Sequence, residues 1–211
     1  NVKAEEYSRF NNISIEDGLS QATVETMMQD SKGYIWLGTN DGLDRYNGYT
    51  FKKYTYEKGK KNSLVNGYIL DIKEDDEGNI WVATAIGISK IYNDGEKVQN
   101  YTSDSESGNL SNDNTCIILI SSSNKIYVGT AEGINLYDKK TDKFNLIYPE
   151  LKEEYINSLT EDKYGNIWAG TENGLYKINV DTNVIERFES TDDVNTISEN
   201  YIYKVYYDGD K

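Results

Sequence analysis

The chain has 211 residues, with 36 acidic against 22 basic side chains, a formal net charge of −14 and no histidine. That charge argues against nucleic acid and against direct contact with an anionic membrane, since both partners demand a basic footprint. Without imidazole, the chain itself offers no histidine triad, metal ligand or general base.

A mean hydropathy of −0.73 predicts no membrane span within these residues. The longest apolar run, Cys116–Ile120, has the length of a buried strand. Its cysteine, the only one in the chain, reads as a small buried hydrophobe rather than a nucleophile. The first residue is Asn1, so targeting segments are expected outside this stretch.

In chain order, an opening segment 5–12 carries a hydrophobic pair, Tyr7 and Phe10. A first full unit, 19–57, starts at the leader Leu19 and runs through "TVETMMQD" to a turn at Asp30. It continues through "GYIWLGT" with Trp36, turns at T-x-x-G with Gly42, passes through "GLDRY" and ends on the pair Phe51 and Tyr54. The unit 64–104 repeats this with Leu64, Asp75, Trp81, Gly87 and Val98/Tyr101. The unit 110–149 has Leu110, Ser121, Tyr127, Gly133 and Phe144/Ile147, and the unit 151–190 has Leu151, Asp162, Trp168, Gly174 and Ile185/Phe188. A closing segment 197–211 begins the pattern again with Ile197 and Asp208.

The aromatic positions 36, 81, 127 and 168 lie 45, 46 and 41 residues apart by subtraction. Four short antiparallel strands per such unit is the arithmetic of a β-propeller blade. The expected fold is therefore all-β: a single propeller arc over 1–211, with four complete four-stranded blades and partial strands at both ends. The arc is either cut from a larger propeller or closed by its two end strands sharing one blade. On the second strand the aromatic shares a face with the residue two further on, which is always small: Gly38, Ala83, Gly129 or Gly170. Trp36, Trp81, Tyr127 and Trp168 are thus expected to pack between blades. Gly42, Gly87, Gly133 and Gly174 suit a hairpin position that requires positive φ.

The phrase D-x-x-G-x-I-W-x-G-T-x-x-G-L resembles the two-component regulator propeller repeat, from about Phe10 to Asp208. Gly18-Leu19-Ser20, the segment "RYNGYTF" at Arg45–Phe51 and the link "NSLVNGYI" at Asn62–Ile69 carry the likeness further. The third repeat departs from it: Tyr127 replaces Trp, and Ser121-Ser122-Ser123-Asn124 replaces the D-x-x-G turn. The resemblance implies an extracellular or periplasmic, non-catalytic sensor region of a membrane-anchored receptor. In that reading its partner is the rest of its own receptor chain, with a kinase or cyclase output elsewhere, and a carbohydrate is one possible ligand.

Asp75-Asp76-Glu77-Gly78-Asn79 has the look of part of a calcium loop, but the same turn recurs as "DSKGY" and "DKYGN" without the extra acids. No metal or cofactor is expected. Glycoside hydrolysis would need paired carboxylates that break the repeat in one blade, and Glu25, Asp71 and Glu161 sit at differing positions near the first strands. Ligand contacts are expected from loops at one end of the blades. The candidates are Asn40, Asp41, Glu132, Glu172 and Asn173 between second and third strands, with Tyr68 in a link. Three function classes stand: a sensor, a propeller lyase or glycosidase, and a protein-binding scaffold. The unfinished ends also suggest self-association.

Overall fold

The computed structural model describes residues 12–104 and 109–209. Sixteen strands among them form four antiparallel sheets, each in simple up-and-down order. The first sheet is β1 (Val24–Gln29), β2 (Ile35–Thr39), β3 (Gly42–Tyr46) and β4 (Phe51–Tyr54). The second is β5 (Ile69–Glu74), β6 (Ile80–Thr84), β7 (Gly87–Ile91) and β8 (Val98–Tyr101). The third is β9 (Thr115–Ile120), β10 (Ile126–Thr130), β11 (Gly133–Asp138) and β12 (Lys143–Ile147). The fourth is β13 (Ile156–Glu161), β14 (Ile167–Thr171), β15 (Gly174–Asn179) and β16 (Val184–Phe188). Helical structure among the described residues is confined to 3-10 turns at Ile15–Asp17 and Pro149–Leu151. The innermost strands β1, β5, β9 and β13 lie side by side, as they do around a propeller axis.

Each first turn is built by one carboxylate. Asp75 accepts the backbone N–H groups of Glu77 (3.0 Å) and Asn79 (2.9 Å) on Oδ1 and the indole Nε1–H of Trp81 (2.8 Å) on Oδ2. Asp30 does the same for Lys32, Tyr34 and Trp36, and Asp162 for Tyr164, Asn166 and Trp168. The acceptor capacity of Asp75 is therefore spent within its own turn and on its own tryptophan. In the third blade Ser121 Oγ accepts the N–H of Lys125 (3.1 Å) and shares a hydrogen bond with Ser123 Oγ (3.0 Å), and Tyr127 has no ring N–H to donate. The two departures of that repeat are one change.

The second hairpin is tied by its threonine. Thr171 Oγ1 donates to the carbonyl of Gly174 (3.0 Å) and accepts the N–H of Asn173 (3.0 Å), as Thr39, Thr84 and Thr130 do in their blades. Gly174 sits at φ 132°, where a Cβ would lie 2.7 Å from the Phe188 carbonyl oxygen, so only glycine fits.

Three apolar clusters fill the three wedges between successive blades. Trp36, Trp81 and Tyr127 are at most 2% exposed within them. Trp81 meets Tyr137 of the next blade edge-on at 4.7 Å, as expected of a ring packing between blades. The small residue beside each ring has a different neighbour from the one the sequence suggests. It receives a β-branched side chain from the next innermost strand: a Cβ on Gly38 would lie 2.6 Å from Ile69 Cγ2, and one on Gly129 would lie 2.6 Å from Ile156 Cγ2. Trp168 is only half-buried, because no further sheet covers its face among the described residues.

The closing segment takes the place of a fifth innermost strand without pairing into a ladder. Ile202 N–H donates to the Thr171 carbonyl (2.8 Å), Ser158 Oγ accepts the N–H of Val205 (3.0 Å), and Ile202 packs against Gly170. Its strand partner would have to come from residues outside the described ones, so it is assigned no strand. The opening segment 5–12 lies, apart from Asn12, outside the described residues.

Asp75→Ala leaves the buried Trp81 N–H without its acceptor, at a cost of about 1–3 kcal/mol. Urea unfolding should show that loss, with a clearly smaller one for Ser121→Ala; equal losses would mean the carboxylate–indole bond is not the tie. Burial alone would raise the Asp162 carboxyl, but bonds from Asn166, Trp168 and backbone N–H groups outweigh it and hold the group below its ordinary value. A depressed folded-state pKa gives stability that is present above the unfolded value of about 4 and lost as pH falls further. The unfolding midpoint should therefore drop on acidification below about pH 4, and less so in Trp168→Phe.

Candidate functional site

Each innermost strand carries an irregularity at its second residue. Pairing skips between Val24 and Thr26, between Ile69 and Asp71, opposite Gly129/Thr130, and between Ile156 and Ser158. A bulge turns the extra residue out of the ladder. Here the extra residues are Glu25, Leu70, Cys116 and Asn157, and all four line a cavity of about 520 Å3 along the inner strands. Tyr203 occupies the same position in the closing segment and lines it too. Neighbouring walls come from Tyr155, Glu172, Tyr201 and Lys204.

The groups around this cavity differ in how far they are committed. Asp71 is engaged: it accepts Lys73 Nζ (2.7 Å) on Oδ1 and the N–H of Ile118 in the next blade (2.9 Å) on Oδ2. Asn157 Nδ2 donates to the Ile202 carbonyl (3.2 Å). Glu25, Glu172 and Lys204 make no hydrogen bond or ion pair with described residues, which leaves two carboxylates and one ammonium for a guest.

Cys116 departs from expectation. It is half-buried and faces this cavity, because the bulge turns it away from the apolar flanks of β9. Its thiol donates to Tyr155 Oη at 3.1 Å. Burial pushes the thiol above its ordinary value against a smaller opposing effect of that contact, and burial together with Cys116 pushes Tyr155 up to about 12. Both groups stay protonated near neutrality, so they are suited to recognition and not to nucleophilic attack.

The predicted loop residues lie at one end of the blades, where the second hairpin of each sheet meets the link into the next blade. The N–H of Gly42 donates to the Gly67 carbonyl (2.7 Å) and that of Gly87 to the Asp113 carbonyl (2.7 Å). Of the candidates, Glu172 alone lines the cavity. Glu132 accepts Asn112 (3.0 Å) and Asn173 donates to Glu154 (3.1 Å), so both hold a hairpin to its neighbouring link. Asn40 and Asp41 are exposed, and Tyr68 is 41% exposed. Glu161 also lies elsewhere: it binds Ser122 across the third wedge (2.6 and 3.0 Å), as Glu74 binds Ser31 across the first.

Comparison with known proteins follows this geometry. Residues 18–41, 63–85 and 150–173 match the model of the two component regulator propeller family. Three of the four blades thus each contain a stretch similar to that family's repeat, and the divergent third blade lies outside the matched stretches. A 45-residue stretch is 47% identical to Histidine kinase P4 of Formosa agariphila, covering 21% of this chain and 3% of that protein, so the chain spans a small part of that relative. Among solved structures, the extracellular domain of a hybrid two component system of B. thetaiotaomicron matches with TM-score 0.52 and 19% identity, over 85% of this chain and 32% of that one. PorZ of Porphyromonas gingivalis matches with TM-score 0.64 and 14% identity, over 96% and 32%. A virginiamycin B lyase of Staphylococcus aureus matches with TM-score 0.62 and 16% identity, over 82% and 57%. At these identities the likeness is one of fold, the propeller.

The Cys116 thiol should react with a disulfide reagent at pH 8 about tenfold more slowly than a free thiol, and faster as pH rises. A rate equal to that of free cysteine would place Cys116 outside a desolvated wall.

Proposed function

We propose that this chain is the ligand-sensing region of a two-component receptor and that the ligand enters the cavity of the inner strands. The family repeats and the extracellular two-component neighbour support the sensor role. One observation carries the site: four inner strands turn their second residue, and the closing segment its Tyr203, toward one cavity of about 520 Å3, within the size range of small-molecule sites.

Uncommitted Glu25, Glu172 and Lys204 beside the phenols of Tyr155, Tyr201 and Tyr203 suit a polar, hydroxyl-rich guest such as a short oligosaccharide. Its hydroxyls would meet charged acceptors and donors, and its apolar faces would meet aromatic rings. In this reading the receptor is membrane-anchored with the propeller outside the cytoplasm, and its output lies elsewhere in the protein. The lyase neighbour favours no enzymatic reading: a histidine-to-alanine form of that enzyme is described as catalytically inactive, and this chain contains no histidine.

Calorimetry with a panel of oligosaccharides tests the proposal. Tyr155→Ala, Tyr201→Ala and Glu172→Gln should each weaken binding about tenfold or more without moving the melting temperature, whereas Asn40→Ala should leave it unchanged. Unaltered binding in all three inner-strand variants would refute the placement.

A further inference from the structure

The wedge between the third and fourth blades differs from its sisters in a coordinated way. Across the strand pair from the wedge aromatic stands a cation in three blades: Arg45 opposite Trp36, Lys90 opposite Trp81 and Lys177 opposite Trp168, each over its indole at 4.9–5.7 Å. In the third blade the pair is Tyr127 and Leu136. The fourth strands place Tyr54, Tyr101 and Phe188 in stacked contact with their tryptophans, and the third blade has Ile147 there. Acid, indole, cation and stacked ring have all been exchanged for smaller or uncharged groups on one face.

The exchange leaves space. A cavity of about 410 Å3 opens against Tyr127, Leu136 and Ile147, closed on the far side by Val180 and along the link by Tyr148. Around Trp36 and Arg45 in the first wedge the free volume is about 10 Å3. That wedge is also cross-linked by Tyr54 and Lys52 onto the Gly95 carbonyl (3.1 and 2.8 Å), and the second by Tyr101 onto Asp142 (2.6 Å). At this cavity none of the lining side chains makes such a bond across the wedge.

Two polar groups at the cavity are unspent. Tyr127 is 2% exposed, yet its hydroxyl has no hydrogen-bond partner among the described residues. Lys125 at the rim is likewise unpaired, facing Glu150 from the other side. The hydroxyl oxygen itself is not buried, since no buried side-chain oxygen lacks a partner among the described residues, and it is open to a guest. Tyr148 is held at φ 56°, an unfavourable conformation for an aromatic residue, in the wall of the same space.

The geometry points to this wedge as a second binding site, for a small planar aromatic molecule bearing a polar oxygen. The ring replaces the indole and stacked aromatic that the sister wedges hold, lying among Leu136, Ile147 and Val180, and its oxygen pairs with the Tyr127 hydroxyl. One cationic and one anionic side chain, Lys125 and Glu150, line the cavity, which favours an uncharged guest over a strong anion. This site is separate from the inner-strand cavity and does not depend on the sensor reading.

The test uses phenol and indole as probes against the full chain, followed by amide NMR shifts and calorimetry. Phenol should bind saturably in the millimolar range, with shifts concentrated at Tyr127, Ile147 and Val180, and indole more weakly. Tyr127→Phe removes only the hydroxyl and should weaken phenol about tenfold at unchanged melting temperature. The combined replacement Ser121→Asp, Tyr127→Trp and Ile147→Phe restores the acid, indole and stacked ring of the sister blades and should abolish binding while raising the melting temperature. Absence of saturable phenol binding, shifts elsewhere, or unchanged affinity in Tyr127→Phe would each overturn the site. Should the filled variant fail to fold, Val180→Trp, filling the opposite wall, must abolish binding instead.

Discussion

The bond from an indole N–H to the carboxylate of its own turn is the constraint on which the blades depend. A tryptophan offers a large apolar face but carries one obligatory donor, and burying that donor unpaired is expensive. Here the acceptor is the aspartate that also organises the turn six residues earlier, so turn, second strand and wedge packing form one unit. With the ring fixed in place, a cation on the neighbouring strand can lie over it and an aromatic on the outer strand can stack against it. The third blade shows the converse: once the carboxylate becomes Ser121, an indole would lose its acceptor, and the ring is a tyrosine, which carries no ring N–H.

At the inner edge a second rule operates. The residue beside each wedge aromatic must be small because a β-branched side chain from the next innermost strand enters there. That strand is therefore pinned from outside by its isoleucine, and the bulge that follows turns one residue toward the axis. Pinned positions stay β-branched from blade to blade: Ile69, Ile156 and Ile202 are isoleucines, with Val24 and Thr115 at the equivalent places. The bulged positions do not, being Glu25, Leu70, Cys116, Asn157 and Tyr203. Packing constrains the first set, and the cavity is free to vary the second.

This contrast explains what was legible in the sequence. Four sheets, their hairpins and the wedge role of Trp36, Trp81 and Tyr127 are readable because each rests on short-range pattern: a turn aspartate, a T-x-x-G glycine and an alternating strand. The cavity was harder to see. Glu25 and Asp71 stand out as acids near first strands, but the bulge that aims Glu25 inward is a register event between strands and leaves no local mark. Cys116 faces the cavity for the same reason, since an apolar run in a strand predicts burial on both faces unless the register slips. A usable signal did exist: when the repeats are superposed, the residue after each leading isoleucine or its equivalent varies most in chemistry. Asn173 and Glu132 attract attention for their polarity, yet their partners, Glu154 and Asn112, come from links whose course the repeat does not specify.

The two cavities have no lining residue in common, but both involve the third and fourth blades. On β9, Cys116 faces the inner cavity while Ile117 packs beside Gly129 in the third wedge; on β13, Asn157 faces inward while Ile156 packs against the same glycine. β9 and β13 thus pack against each other at this glycine, on the inner side of the wedge whose outer part holds the second cavity. The first two wedges resist displacement through stacked rings and hydrogen bonds that cross between blades. The third holds fewer of these, its crossing contacts at the turn end being those of Ser122 with Glu161. Any guest that alters the spacing of β9 and β13 from the inner side therefore meets least resistance at this wedge, where the packed set of the other blades has been given up.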